Sequence, residues 1–192
     1  LIQESCNLLV RRKGYEMAWI LLLDEKRNFV AMASSGLGEN ASAFLQQLKT
    51  GKYPVCVKEL LRQEQDFLAY DHARKSHDGC ILAGELGSQG NFTCKLEHEG
   101  TLYGVLQVAV PSKVVFDKEE QSLFVEVAGD VGFALSSIET ENKRKQAEEE
   151  RRTSEENFRH SVDESPLGIR ILNTAGKTVY ANRALLDIYG FA

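Results

Sequence analysis

Cysteine is scarce in this 192-residue sequence, and Cys6, Cys56, Cys80 and Cys94 form no CxxC pair. That spacing excludes a disulfide framework and the small secreted scaffolds that depend on one. Proline is scarcer, at three residues, so little stands in the way of long helices. The longest apolar run is MAWILLL (17–23), far short of the ~20 residues that span a bilayer. No secretory leader pattern opens the sequence, and Leu1 and Ala192 read as cut edges of a longer protein. A basic stripe is also missing: 23 Lys+Arg against 28 Asp+Glu leave a net charge of −5, which argues against nucleic acid as a partner. Nor is there a glycine loop of the phosphate-cradling kind, so no kinase activity is expected of the chain itself. The expected compartment is the cytoplasm.

What is present builds a core. Ile2, Cys6, Leu9 and Val10 share one helical face, which Gly14 ends. MAWILLLD (17–24) reads as a strand apolar on both faces, hence central, with FVAMAS (29–34) as its hairpin partner. Ala43, Phe44, Leu45 and Leu48 suggest a short helix, and Pro54 suits the first turn of another, PVCVKELLRQ. Residues 71–90 are irregular. NFTCKLEHE (91–99) alternates, with Phe92, Cys94, Leu96 and His98 on one face and Thr93, Lys95 and Glu97 on the other. Glu99 and Gly100 turn the chain into TLYGVLQVAV (101–110), again apolar on both faces. From Asp117 an acidic first turn starts a helix, with Phe124, Val127, Val131, Ala134 and Ile138 at spacings of three and four. The order implies an α+β fold, helices against an antiparallel sheet, closing near Ile138.

Beyond Ile138 the stretch ETENKRKQAEEERRTSEENFR (139–159) has one small apolar residue, Ala147, before Phe158, and no Gly or Pro. Glu139–Lys143, Glu141–Lys145, Glu148–Arg152 and Glu155–Arg159 each set an acid one turn before a cation, the favourable order, at about 0.3–0.5 kcal/mol per pair. The spacing predicts a solvated helix over this stretch, continuous with the one before it from about Asp117 to Val162. Such a helix bridges two bodies or pairs with its own copy. Its heptad seam would run Phe124, Val127, Val131, Ala134, Ile138, then Glu141, Lys145, Glu148, Arg152, Glu155, Arg159 and Val162, an apolar grip followed by charges that leave register soft.

Several motifs in order carry a resemblance. EGTLYGVLQVAVPSKVVFDKEEQSLFVEVAGDVGFALSSIE resembles the last third of a GAF domain, and GYEMAWILLLDEKRNFVAMASSGLG its first hairpin. SEENFRHSVDESPLGIRILNTAGKTVYANRALLDIYGFA (154–192) resembles the start of a PAS domain, incomplete at this length. The resemblances imply a GAF sensory domain over 1–138, a charged signalling helix over 139–157 and a truncated PAS domain over 158–192. That arrangement is similar to multi-sensor histidine kinases of two-component phosphorelays. It implies a dimer joined through the helix and a small-molecule or redox input. His160 lacks the context of a phosphoacceptor, since Ser161 follows it and Pro166 lies six positions on.

The resemblance also frames candidate chemistry. Some GAF sensors hold haem through Cys or His, for which Cys56, Cys80 and His77 are the candidates. His72, His77, Asp78 and Cys80 gather ligand-type side chains in the irregular stretch, too loosely spaced for structural zinc. Cys94 and His98, with Phe92 and Leu96, either pack in the core or line a ligand pocket; a ligand entering under residues 71–90 would meet that face. No NKFDE-type cyclic-nucleotide signature and no Cys-His dipeptide for a bilin occurs. The alternative function is a thiol enzyme like the free methionine sulfoxide reductases, with Cys80 and Cys94 as attacking and resolving thiols.

Overall fold

The computed structural model describes residues 1–71, 82 and 89–190. They fall into two compact units, residues 1–138 and 139–192. Among the described residues no helix is long and apolar enough to cross a membrane.

In the first unit, helix α1 (Ile2–Lys13) ends at Gly14, whose left-handed φ of 75° closes the last turn. Strands β1 (Met17–Leu23) and β2 (Phe29–Ser35) follow as a hairpin. Helices α2 (Ala41–Lys49) and α3 (Val55–Arg62) come next, α3 starting after Pro54. The sheet is completed by β3 (Phe67–Asp71), β4 (Gly90–His98) and β5 (Thr101–Val110). Its order is β2-β1-β5-β4-β3, antiparallel at every pairing. The α+β architecture expected of the pattern is the one observed. The expectation omitted β3, whose residues are all half-buried at the sheet edge and therefore show no alternation.

Both faces of the sheet are covered, as the two-sided apolar strands require. On one face Ile20, Phe92, Cys94, Leu96, Leu106 and Val108 pack against α1 and against the start of helix α4 (Lys118–Asp163), through Phe124, Ala128 and Val131. On the other, Trp19, Leu21, Val105 and Ala109 pack against Phe44 and Leu48 of α2 and Val57 and Leu60 of α3. Asp117 caps α4, its carboxylate accepting the amides of Glu119 (2.9 Å) and Glu120 (3.3 Å). At Gly132 the helix lies so close to the sheet that a Cβ would stand 2.6 Å from the Glu97 carbonyl oxygen.

In the second unit the charged helical stretch makes two of its four expected ion pairs, Glu139–Lys143 (2.6 Å) and Glu141–Lys145 (3.6 Å). Elsewhere the cations turn to other acids: Arg151 to Glu148 and Glu155, Arg152 to Glu149 and Glu156. A guanidinium spans neighbouring carboxylates better than a single i,i+4 rule allows for. Strands β6 (Arg170–Leu172) and β7 (Thr178–Ala181) form a hairpin, and α5 (Arg183–Tyr189) follows. Asn182, fully buried, organises this unit. Its Oδ1 accepts the amides of Ile169 (2.8 Å) and Leu185 (3.1 Å), and its Nδ2 donates to the carbonyls of Val162 (2.9 Å) and Leu167 (2.8 Å).

Candidate functional site

The structure divides the residues that the sequence grouped. Phe92 and Cys94 belong to the core under α1 and α4, with Phe92 stacked 5.6 Å from Phe124. That side of β4 packs against the domain's own helices, and Cys94 and His98 border a small cavity of about 200 Å³ with Asp66, Val125 and Gly129. His98, half-buried at the strand end, meets the ring of Phe133 edge-on at 5.1 Å. Cys56 belongs to α3 and packs against the opposite face of the sheet. His72, His77, Asp78 and Cys80 lie outside the described residues.

Two cysteines are chemically quiet. Burial pushes the Cys94 and Cys6 thiols up to about 12, which suppresses the thiolate that nucleophilic or redox chemistry needs. Cys94 thus makes a poor partner for a thiol enzyme. Cys56 is the one described residue among the proposed haem ligands, and its thiol donates to Gln107 Oε1 at 3.1 Å. Among the described residues no group of three or more His, Cys, Asp or Glu could hold a metal ion.

Where Cys56 sits, the sheet carries something the sequence reading missed. Thr93 and Gln107 face each other across β4 and β5 and are both buried, on the face that alternation had set opposite Cys94. Thr93 Oγ1 donates to Gln107 Oε1 at 3.2 Å, so that one carbonyl oxygen accepts from both strand and helix. Asn91, two residues before Thr93, is 1% exposed, and Trp19, opposite Gln107 on β1, is wholly buried. Neither Trp19 Nε1 nor Asn91 Oδ1 has a hydrogen-bond partner among the described residues. Each such group costs about 1–3 kcal/mol if left unmatched, so a pair on one face is an expensive feature to retain without use. Tyr70, opposite Asn91 on β3, donates its hydroxyl to Glu59 of α3, and burial beside that carboxylate raises the Tyr70 pKa. The signal that could have found this row is Gln107, an amide in the middle of a strand otherwise apolar on both sides.

The apolar stripe of α4 is also divided. Phe124 and Val131 are buried in the first unit's own core. Val127 and Ala134, together with Val131, also border a groove of about 390 Å³ with Leu1 and, from α1, Leu8 and Leu9. Ile138 is 45% exposed, and Glu141 and Lys145 form the solvent-facing pair already described.

A family model described as GAF domain matches residues 1–136. Solved structures share the fold at low identity. A domain assigned to a two-component sensor histidine kinase of Sinorhizobium meliloti 1021 is 20% identical, covering 76% of this chain and 94% of that one, at a TM-score of 0.56. A GAF domain/HD domain protein from Geobacter sulfurreducens is 17% identical over 72% and 91% of the two chains, at 0.54. The GAF domain of a phosphoenolpyruvate-protein phosphotransferase from Coxiella burnetii is 16% identical over 74% and 84%, at 0.55. No curated protein matches the chain.

Proposed function

Because the chain belongs to the GAF domain family through residues 1–136, we propose that it is the sensory input module of a signal-transduction protein, a two-component histidine kinase of the cytoplasm in our reading. The observation that carries the proposal is the two-sided sheet. The same strands that bury Trp19, Thr93 and Gln107 under α3 bury Ile20, Phe92 and Leu106 under α1 and α4 on their alternate residues. A ligand that moves one face moves the other, since packed layers shift together rather than deform smoothly. Helix α4 is then the output, rising at ~1.5 Å per residue away from its packed first turns.

The second unit is read as the start of a PAS domain, with the β6–β7 hairpin and the Asn182 cluster as its first elements. Its exposed Phe158, Val179 and Ile188 suit a fragment whose remaining sheet follows in the parent protein. Pairing of two chains is assigned to the α1–α4 side of the first unit. Phe124 and Val131 are committed to the core, so the grip falls to Val127, Ala134 and Ile138 together with Leu8 of α1. Charges at Glu141 and Lys145 then keep the remaining seam weak and its register adjustable.

Light scattering and a parent-protein assay test this together. A dimer is expected, and Leu8→Glu with Ile138→Glu should lower its affinity at least tenfold without unfolding the domain. One residue inserted beside Ala147 turns everything downstream by about 100° and should switch or abolish the parent's output. A chain that stays monomeric at high concentration, or an output indifferent to the insertion, sinks the proposal.

A further inference from the structure

We infer that α4 carries a second docking surface, at Val125, Gly129 and Phe133, and that it takes a cationic amphipathic helix of another protein. The surface goes beyond the sensory reading and does not depend on it. At about 100° per residue, these three positions lie roughly 160° round the helix from Val127, Ala134 and Ile138, the side assigned above to pairing. Two chains joined there leave this side open. Val125 is 40% exposed and Phe133 57%, so two large apolar side chains face water on one side of α4. The row repeats every four residues, the kind of ridge against which a second helix most commonly packs.

Gly129 marks where a partner's backbone would come closest. A glycine inside a helix costs stability relative to alanine. For Gly132 the reason is the Glu97 carbonyl that a Cβ would strike, whereas a Cβ at Gly129 would meet nothing within 4 Å. The notch opens on the cavity of about 200 Å³ that Val125 and Gly129 share with Cys94 and His98. That volume is below the ~300–1,000 Å³ of small-molecule sites and suits one large side chain, an anchor on a protein partner.

Charge sets the partner's sign. Asp66, Glu97 and Glu99 line the cavity with a single lysine, Lys95. Its ammonium is already held by Asp66 at 2.9 Å and by the Gln63 carbonyl at 3.2 Å. Glu97 and Glu99 are exposed, as is Glu126 beside Val125. An apolar notch in an acidic rim attracts an apolar stripe flanked by Lys or Arg and repels an acidic one. A second copy suits it less, since the chain itself carries a net charge of −5, and an anionic membrane would meet like charge.

The test uses the full chain and three synthetic peptides: an amphipathic Lys/Leu helix, the same with Glu for every Lys, and the same with Ala for every Leu. In ¹⁵N-labelled protein the Lys/Leu peptide should shift the amides of Gly129 and Phe133 and the His98 ring. The other two should bind at least about tenfold more weakly, and added salt should weaken the first. Gly129→Leu fills the notch and should cost about tenfold in affinity while raising the melting temperature, since leucine is the better helix former. A merely structural glycine would raise the melting temperature and leave the affinity alone. Glu97→Lys with Glu99→Lys should reverse the preference between the Lys and Glu peptides. Leu8→Glu with Ile138→Glu, on the pairing side, should leave the affinity within about twofold. No shift at all, shifts confined to the α1 side, equal binding of the Lys and Glu peptides, or an affinity untouched by Gly129→Leu overturns the inference while the sensory reading stands. Self-association weakened by Gly129→Leu overturns it too, and would move the pairing surface to this side.

Discussion

Burial sets the chemistry of Cys6 and Cys94 one residue at a time. Both thiols are pushed from 9.0 up to about 12 by the apolar layer around them. The folded state therefore holds the proton that an unfolded chain would release near 9.0. Their stabilising contribution is complete below that pH and is lost as pH climbs through 9 towards about 12. Tyr15, buried and hydrogen-bonded to Glu120, and Tyr70, bonded to Glu59, are raised in the same direction and add to the loss above 10. The expected outcome is a urea midpoint that falls from pH 9 upward, and iodoacetamide at pH 8 that spares Cys6 and Cys94 until denaturant is added. Rapid labelling of Cys94 in the native protein would contradict this. At this scale the sequence was only half legible. Polar letters such as Asn91, Thr93 and Gln107 mark strand positions, but whether they face water or each other depends on what packs above them, and α3 is brought there by the chain's path.

Among the elements, those with a strong period were readable in advance. The two-sided runs of β1 and β5 had to be central, and the acidic start at Asp117 had to begin a helix; both expectations hold. The elements that escaped have weak periods. β3 is an edge strand with no dry face, and the apolar stripe of α4 gives no hint that Phe124 and Val131 serve their own sheet while Ile138 faces solvent. Packing decides that division, and Gly132 is where it is tightest. Gly132→Ala would drive a Cβ into the Glu97 carbonyl, with backbone on both sides and no flexible side chain to yield. A loss of about 1–3 kcal/mol is expected, in spite of alanine's better helix propensity. Chemical denaturation followed at Trp19 measures it, and an unchanged or raised midpoint would show that α4 does not press on the β4–β5 hairpin.

For the molecule as a whole, both apolar layers lie within residues 1–138, and the second unit has a separate organising cluster around Asn182. A chain cut after Ile138 should therefore keep the far-ultraviolet signature of the sheet and a Trp19 unfolding midpoint within about 1 kcal/mol of the full chain's. A collapse of that midpoint would mean that the charged helix is needed to hold the domain together.

The sheet order sets a schedule for synthesis as well. The centre of the sheet pairs Ile20 with Leu106, so β1 must wait for a partner 86 residues further along the chain. At about 5–20 residues per second, a ribosome supplies that partner roughly 4–17 s after β1 has emerged. For those seconds MAWILLL has only β2 on one edge, and both of its faces want cover. The heart of the domain is thus its most adhesive segment during translation. Chaperone engagement of the nascent chain should begin as β1 leaves the exit tunnel and end only once β5 has followed it.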